Sequence, residues 1–255
     1  MSCDTYYEPF IGGGSIYFAL ANETRFNKAV IGDWNHELVN VYRIIQGNVE
    51  DLIIGLKKVK QEYQNDQKAA FFKHRAINPM SISDLDMAIR TLFLNATSFS
   101  HKYSVNMLGK YNAAYADADF SSMICKEDLL RKCSEVLNKN TTIVHYDFSK
   151  TVAAAEKDDF VYLDPPYVPL NSSSKFTGYR AGGFGIDEQR RVFGTFETLA
   201  ARGAAVMMSN SNSPIIHEWY KDYKIRLIPV QRRVNCHRGE PRQNINETLV
   251  TANLG

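Results

Sequence analysis

The strand-like segments of this 255-residue chain are confined to its two ends, and this distribution constrains the fold more than any other feature. The first unit, from Thr5 to Asp33, predicts a strand, a glycine turn, a helix and a second strand. From Glu37 to about Asn140, apolar residues recur at helical spacing instead. Short apolar runs of the buried parallel-strand type then return at Thr141 to Asp147, Phe160 to Asp164 and Ala204 to Ser209.

This order predicts an α/β fold, a doubly wound and mostly parallel sheet interrupted by a mainly helical insertion. We expect residues 1–48 and 141–255 to form the sheet domain and residues 49–140 to form the insertion. A segment near residues 99–115, rich in Tyr, Ser and Asn, interrupts the helical spacing and predicts an irregular hairpin or loop. Two lobes of this kind leave a cleft between them.

Composition limits the function only weakly. Thirty basic and 28 acidic residues give a formal charge of +2, so any basic binding surface must be local. Four widely spaced cysteines without a C-x-x-C pair indicate free thiols in a reducing, cytoplasmic compartment. No apolar run approaches the roughly 18 residues of a membrane span, so we expect no membrane contact. We also predict no metal, because the histidines lack the paired spacing of metal ligands.

Three glycines lie between the first predicted strand and the first predicted helix. Gly12, Gly13 and Gly14 carry no Cβ, so this backbone can approach a ligand closely. The third position of a dinucleotide fingerprint is Tyr17 rather than a small residue, which disfavours NAD and leaves a nucleoside as an option. Asp33 ends the next strand, where a carboxylate binds ribose hydroxyls. The alternative is a plain tight turn, with Asp33 as the N-cap of the following helix.

The tetrapeptide Asp164-Pro165-Pro166-Tyr167 directly follows the apolar run FVYL, at the carboxyl end of a predicted buried strand. Its prolines fix φ and lack N–H groups, which leaves carbonyl acceptors beside a carboxylate and an aromatic ring. An exocyclic amine on a planar heterocycle fits this set, donating to Asp164 and the Pro165 carbonyl while Tyr167 stacks on the ring. Such preorganised acceptors activate a weakly nucleophilic amine. The alternative is a structural turn.

Five segments in this order resemble those of the Dam-like (D12 class, group alpha) DNA adenine N6 methyltransferases, which use S-adenosylmethionine. They are YEPFIGGG, IGDWN, HYDFS, LDPPY and VMMSNS. The resemblance extends to FLNATSFSHKYSVNMLGKY in the insertion, KFTGYRAGGFG after the proline turn and VNCHRGEPRQNINETLV near the C-terminus. It therefore covers most of the chain.

The resemblance implies a class I methyltransferase fold, which is a Rossmann-like sheet, with the insertion as target-recognition domain. It implies that S-adenosylmethionine binds with its methionine part at Glu8 to Gly14, its ribose at Asp33 and its adenine at Asp147 and Phe148. The implied cofactor-binding residues are Tyr7, Glu8, Pro9, Phe10, Gly12, Gly14, Asp33, Trp34, Asp147, Phe148 and Asp164. The implied catalytic residues are Asp164, Pro165, Pro166 and Tyr167.

A methyltransferase of this type must flip its adenine out of the duplex, so we expect groups that insert between bases or contact phosphates. The candidate DNA-binding residues are Phe99, His101, Lys102, Asn106, Lys175, Tyr179, Arg232, Arg233 and Arg238. The alternatives are an ordinary exposed loop around Phe99 and a solvated basic hairpin tip near the C-terminus. The charged surface between Glu50 and Arg75 is interpreted as a solvated helix face.

Two departures from the family pattern qualify these implications. Family members usually carry a lysine and paired glycines before the first strand, closing one side of the cofactor pocket, whereas only Met1 to Thr5 precede the strand here. Missing N-terminal residues, weak cofactor binding or a substitute element are the three explanations. Ser100-His101 and Ser104 also replace the family's Asn-Gly and Arg, a donor set suited to guanine, which puts GATC recognition in question.

The leading hypothesis is a site-specific DNA methyltransferase that acts on adenine N6 in duplex DNA. One alternative is an enzyme acting on another amine, such as cytosine N4, an RNA adenine or a glutamine side chain. The other is a catalytically silent nucleic-acid-binding protein of the same fold. A cognate restriction endonuclease is a candidate partner, and we expect a monomer, with a dimer on DNA as the alternative.

Overall fold

The computed structural model describes residues 2–101, 103–106, 110–169, 184–231 and 244–254. Its strands are β1 (Cys3–Glu8), β2 (Phe26–Gly32), β3 (Thr141–Val144), β4 (Phe160–Leu163), β5 (Ala205–Ser211), β6 (Lys224–Gln231) and β7 (Asn244–Ala252). Its α-helices are α1 (Ser15–Asn22), α2 (His36–Gly47), α3 (Val49–Asn65), α4 (Gln67–Ala76), α5 (Asp84–Thr97), α6 (Ser121–Ile124), α7 (Glu127–Leu137), α8 (Phe148–Thr151), α9 (Ile186–Ala201) and α10 (Pro214–Trp219).

All seven strands form one sheet in the order β3-β2-β1-β4-β5-β7-β6. The five strands from β3 to β5 are parallel, and β7 runs antiparallel to both β5 and β6. The strand order reverses between β1 and β4, which is where α/β sheets of this kind open a ligand crevice at their carboxyl edge. The predicted doubly wound, mostly parallel sheet is confirmed.

The described residues between β2 and β3 are mainly helical, from α2 to α7, and short polar motifs define helix starts there. Asn35 caps α2 by accepting from the backbone N–H of Glu37 at 3.0 Å. Ser83 caps α5, accepting from the Asp86 N–H while its hydroxyl donates to the Asp86 carboxylate at 2.7 Å. The helix starts are therefore encoded locally, as expected of capping residues.

Two apolar cores lie beside the sheet. One joins the sheet to the insertion helices, with fully buried Tyr6 of β1 and Ile31 of β2 in the same cluster as Leu56 of α3 and Phe93 of α5. The other core packs α9 and α10 against β4, β5 and β7. Because the helices between β2 and β3 share a core with the sheet, burial of apolar area holds them against the sheet. The boundaries at residues 48 and 141 stay a prediction.

Within the described ranges, no helix has the length and hydrophobicity needed to cross a bilayer. Cys3, Cys125 and Cys133 are free thiols, as predicted, and Cys236 lies outside the described residues. The described residues also contain no group of three or more His, Cys, Asp and Glu side chains arranged to hold a metal ion.

Candidate active site

Three carboxylates mark the carboxyl ends of adjacent strands at the point where the strand order reverses. Glu8 ends β1, Asp33 follows β2 and Asp164 follows β4. Parallel pairing of β1 with both β2 and β4 brings these three ends to one edge of the sheet. Three acidic groups therefore lie at the edge of the sheet where the sequence predicts a ligand crevice.

Asp164 is held by the neighbouring strand. The hydroxyl of Ser209, on β5, donates to Asp164 Oδ1 at 2.5 Å, and the Tyr162 hydroxyl lies 3.1 Å from the same Ser209 oxygen. Asp164 is exposed at the sheet edge, but desolvation by the surrounding protein raises the pKa of its carboxyl group, against the lowering effect of hydrogen bonds from Ser209 and Tyr167. One carboxylate oxygen is thus fixed, and the group is a better proton acceptor than an ordinary aspartate.

The side-chain amides of two buried residues hold the proline turn after Asp164 in place. Gln189 Nε2 of α9 donates to the Pro166 carbonyl at 2.5 Å, and Asn210 Nδ2 of β5 donates to Gln189 Oε1 at 3.1 Å. Asn210 Oδ1 accepts from the Val168 N–H at 3.0 Å. Within the described residues, nothing donates to the Pro165 carbonyl. The turn therefore leaves the Pro165 carbonyl as an acceptor without a described donor, next in the chain to the Asp164 carboxylate.

Tyr167 completes the predicted catalytic tetrapeptide. Its ring is half-buried, and its hydroxyl donates to Glu247 Oε2 of β7 at 3.2 Å. Burial and the nearby Asp164 carboxylate raise the pKa of the Tyr167 phenol, so it stays protonated and can donate.

The glycine turn faces Asp33. The Gly12 N–H donates to Asp33 Oδ2 at 3.2 Å, and the Asn35 N–H donates to Asp33 Oδ1 at 2.8 Å. Burial raises the pKa of Asp33, and these backbone hydrogen bonds oppose that shift. The alternative assignment of Asp33 as the helix N-cap is wrong, because Asn35, two residues later, caps α2. Asp33 instead ties the end of β2 to the turn.

The glycines of this turn have different surroundings. A Cβ built on Gly13 meets no atom within 4 Å, so open space adjoins its backbone. A Cβ on Gly14, whose φ is 70°, would lie 2.7 Å from the Tyr42 hydroxyl. That hydroxyl donates to the Gly12 carbonyl at 2.9 Å and holds the turn against α2. The open space and the Asp33 carboxylate fit a nucleoside cofactor lying over the turn.

The predicted adenine-binding pair is covered by α9. Arg191 Nη2 lies 2.7 Å from Asp147 Oδ1, and its guanidinium carbon lies 4.8 Å from the ring centroid of buried Phe148. Phe10 stacks on Phe148 at 5.2 Å. Burial by itself raises the pKa of Asp147, but hydrogen bonds from Ser149 and Arg191 outweigh this effect and lower the pKa below its ordinary value. Asp147 is therefore an ion-paired carboxylate that also starts α8.

The remaining candidate cofactor residues differ in exposure. Tyr7 is buried in the apolar cluster that contains Phe148, and Pro9 lies between Glu8 and Phe10 after β1. Trp34 is half exposed beside Asp33, and its carbonyl lies 2.9 Å from His145 Nε2.

In the segment predicted as an irregular hairpin, isolated antiparallel bridges pair Ser98 with Tyr115 and Val105 with Tyr111 among the described residues. Phe99 is 63% exposed, and exposed His101 packs edge-on against Phe120. The Asn106 side chain accepts from the Lys110 N–H at 3.0 Å. Lys102, Lys175, Tyr179, Arg232, Arg233 and Arg238 lie outside the described residues.

The hairpin is tied to the start of α2 by a buried network. The Tyr103 hydroxyl donates to Glu37 Oε1 at 2.9 Å, and the guanidinium of Arg90 donates to Glu37 Oε2 at 2.8 Å. Because α2 begins just after Asp33, these contacts place the hairpin base at the same edge of the sheet as the crevice.

The family model for D12 class N6 adenine-specific DNA methyltransferases matches residues 1–235 of this chain. The chain belongs to that family. The match covers the sheet edge described above and the whole helical insertion.

Named relatives support this membership. The type II methyltransferase M1.LlaDCHI of Lactococcus lactis is 38% identical over 251 residues, which cover 96% of this chain and 85% of that protein. The type II methyltransferase M.MjaIII of Methanocaldococcus jannaschii is 32% identical, with coverages of 96% and 87%. The DNA adenine methylase of Escherichia coli K12 is 24% identical, with coverages of 95% and 84%.

Four residues that contact the predicted site were not assigned a role from the sequence: Gln189, Arg191, Ser209 and Glu247. Ser209 and Glu247 belong to segments that resemble the family, VMMSNS and NETLV, so their positions at strand ends were a usable signal. Gln189 and Arg191 lie in α9, where nothing in the helical spacing distinguishes them.

We expect the replacements Gly13→Ala and Gly14→Ala to separate binding from folding. Gly13→Ala leaves the unfolding free energy near that of the wild type, because the added methyl group meets no protein atom. The same methyl group enters the space of the ligand, so cofactor binding is expected to weaken about tenfold. Gly14→Ala destabilises the fold by about 1–3 kcal/mol, because of its positive φ and the Tyr42 contact. Urea unfolding and calorimetric titration with S-adenosylmethionine measure the two effects. Equal cofactor affinity in the Gly13 variant would contradict the proposed approach of the ligand.

Glu8 predicts a pH-dependent stability. It is 3% exposed, and burial, reinforced by Asp164, raises the pKa of its carboxyl group from 4.5 to about 8, against the hydrogen bond from Tyr6. Between those two values the folded state binds the extra proton, so the unfolding free energy falls as pH rises through this window.

We therefore expect Glu8→Gln to flatten this dependence, with the variant gaining stability over the wild type from about pH 5 to about pH 8. Urea unfolding across this range measures it, and Glu218→Gln, at an exposed position, is the matched control. Parallel profiles for wild type and Glu8→Gln would refute the shifted pKa.

Proposed function

We propose that this methyltransferase transfers a methyl group from S-adenosylmethionine to the N6 amine of an adenine flipped out of duplex DNA into the crevice at Asp164. The observation that carries the proposal is the pair of acceptors, the Asp164 carboxylate and the Pro165 carbonyl, which a clamped turn presents beside the Tyr167 ring. A primary amine on an aromatic ring has two hydrogens, and each acceptor takes one.

The chain's own groups would activate this amine. Ser209 holds Asp164 Oδ1, which leaves Oδ2 to accept from N6. Hydrogen bonds to both amine hydrogens favour a tetrahedral nitrogen and stabilise the positive charge that develops there, which lowers the transition state more than the ground state. S-adenosylmethionine, when bound, supplies a methyl group on a positively charged sulfur.

Bond making and breaking then balance without a covalent enzyme intermediate. The N6 lone pair forms the new bond to the methyl carbon, the carbon–sulfur pair remains on sulfur, and N6 loses one proton. Asp164, with its raised pKa, is suited to receive that proton. Holding the two reactants in line supplies part of the rate acceleration.

The residues around the glycine turn fit the cofactor. Asp33 would accept from the ribose hydroxyls, the open backbone at Gly13 would lie against the methionine part, and Asp147 and Phe148 would contact the adenine. Because Arg191 covers Asp147 and Phe148, it would border the adenine. Exposed Phe99 and His101 on the anchored hairpin would contact DNA.

The test is to incubate the protein with isotopically labelled S-adenosylmethionine and mixed-sequence duplex DNA, digest the DNA to nucleosides and identify the labelled product by mass spectrometry. We expect labelled N6-methyldeoxyadenosine. Labelled N4-methyldeoxycytidine would assign the site to another amine. Binding of DNA without any label would overturn the catalytic proposal. Single-stranded DNA and duplex RNA, incubated in parallel, test the substrate class.

The cellular role of the enzyme is inferred from this proposal and from the names of its relatives. Two relatives are named type II methyltransferases. We therefore propose that methylation by this enzyme protects DNA from a cognate restriction endonuclease in the cytoplasm, with the methyltransferase acting as a monomer. Sedimentation with and without DNA tests the monomer.

A further inference from the structure

Glu247 reaches the catalytic turn from a strand that the proposed mechanism does not use. It lies near the start of β7, paired with Ser211 of β5 and Ile228 of β6. Because β7 runs antiparallel to β5, its first residues lie at the carboxyl end of β5, on the crevice side of the sheet. The following Thr248 and Val250 are 1% and 0% exposed, which fixes the strand and therefore the position of Glu247.

The contact that Glu247 makes is with Tyr167. The phenolic hydroxyl donates to Glu247 Oε2 at 3.2 Å. Within the described residues, no lysine, arginine or histidine forms an ion pair with Glu247. The half-buried carboxylate therefore has the tyrosine hydroxyl, rather than a cation, as its described side-chain partner.

We propose that Glu247 is a positioning residue that holds the Tyr167 ring against the reacting adenine and strengthens its interaction with the charge that develops on it. This inference rests on the proposed function. A hydroxyl anchored to a carboxylate restricts rotation of the ring, so less conformational entropy is lost when the base stacks. A negatively charged acceptor also increases electron density in the ring, which favours a cation over its face.

The electrostatic effect of Glu247 on the Tyr167 ring acts mainly in the transition state. The adenine is neutral when it binds and becomes positively charged as the methyl group is transferred, so a ring polarised by Glu247 stabilises the transition state more than the bound substrate. Loss of Glu247 is therefore expected to lower kcat with little change in KM. A carboxylate acting only through its general negative potential would have the same effect whether or not Tyr167 carries a hydroxyl.

A double-mutant cycle separates these cases. We expect Glu247→Ala and Tyr167→Phe each to lower kcat by roughly tenfold, and the double variant to lose no more than either single variant. Glu247→Gln keeps an acceptor for the hydroxyl and is expected to recover part of the loss. Glu218→Ala, which removes an exposed glutamate, is the matched control and is expected to keep wild-type kcat.

A second readout does not depend on turnover. On a duplex whose methylated adenine has been mapped, 2-aminopurine at that position reports stacking of the flipped base by quenching of its fluorescence. We expect stronger emission in the Glu247→Ala complex than in the wild-type complex, with unchanged affinity for S-adenosylmethionine.

The outcomes distinguish this inference from the function on which it rests. Multiplicative losses in the double variant, or wild-type kcat and fluorescence in Glu247→Ala, overturn the role of Glu247 while methylation by the wild type stands. Absence of adenine methylation by the wild type overturns the proposed function, and the inference with it.

Discussion

Asp164→Asn is expected to lower kcat for adenine methylation by roughly 10²–10³, the loss typical of removing one preorganised polar group from a transition state. Asparagine keeps the size of the side chain and an oxygen for the Ser209 hydroxyl, so the turn stays in place. It lacks the negative charge and the proton affinity that N6 requires as the methyl group arrives. Single-turnover methylation with saturating cofactor measures the effect on the chemical step.

Asp158→Asn is the matched control for this variant. Asp158 is exposed, precedes β4 at the amino end of the strand and has a φ of 74°, which asparagine tolerates. The same loss of charge at the opposite edge of the sheet is expected to leave kcat unchanged. Turnover of Asp164→Asn within about threefold of the wild type would refute the role of the carboxylate.

The parts of this site that could be predicted are those encoded by short segments. An apolar run followed by Asp, or by glycines and a helix, specifies a strand end at the carboxyl edge, so Asp33 and Asp164 were placed without knowing the sheet order. Such segments do not specify which of two neighbouring residues takes a given role. Asn35 rather than Asp33 caps α2: Asn35 accepts from the N–H groups of Glu37 and Leu38, whereas Asp33 accepts from that of Asn35. Both residue types are common N-caps, so the sequence alone does not distinguish them.

The parts that could not be predicted depend on pairing between distant strands. Ser209 reaches Asp164 because β5 lies beside β4, and Glu247 reaches Tyr167 because β7 inserts between β5 and β6. Neither β6 nor β7 was predicted. Strand β6 carries Pro229 at the edge of the sheet, with exposed Leu227 and Ile228, so its sequence lacks the apolar pattern of a buried strand.

The buried pair of Glu37 and Arg90 predicts the largest effect on stability. Their side chains are 9% and 2% exposed, and the Arg90 guanidinium also donates to the His74 carbonyl at 2.9 Å. We expect Glu37→Ala to lower the unfolding free energy by about 3–5 kcal/mol, because it leaves a buried cation without its carboxylate. The Thr91 and Tyr103 hydroxyls lose their acceptor as well. Urea unfolding measures the change.

Two further variants identify the cause of that loss. Glu50→Ala removes a glutamate that pairs with Arg131 at the surface, and is expected to leave the unfolding free energy nearly unchanged because solvent screens this pair. Replacing both partners, as in Glu37→Leu with Arg90→Leu, removes the uncompensated charge and is expected to recover much of the stability lost in Glu37→Ala. A double variant no more stable than Glu37→Ala would show that the lost contacts to Thr91, Tyr103 and the backbone, rather than the unpaired charge, set the cost. In that case the network stabilises the insertion chiefly by anchoring the hairpin to α2 through the hydrogen bond from Tyr103 to Glu37. Glu37 lies four residues after Asp33 in the chain.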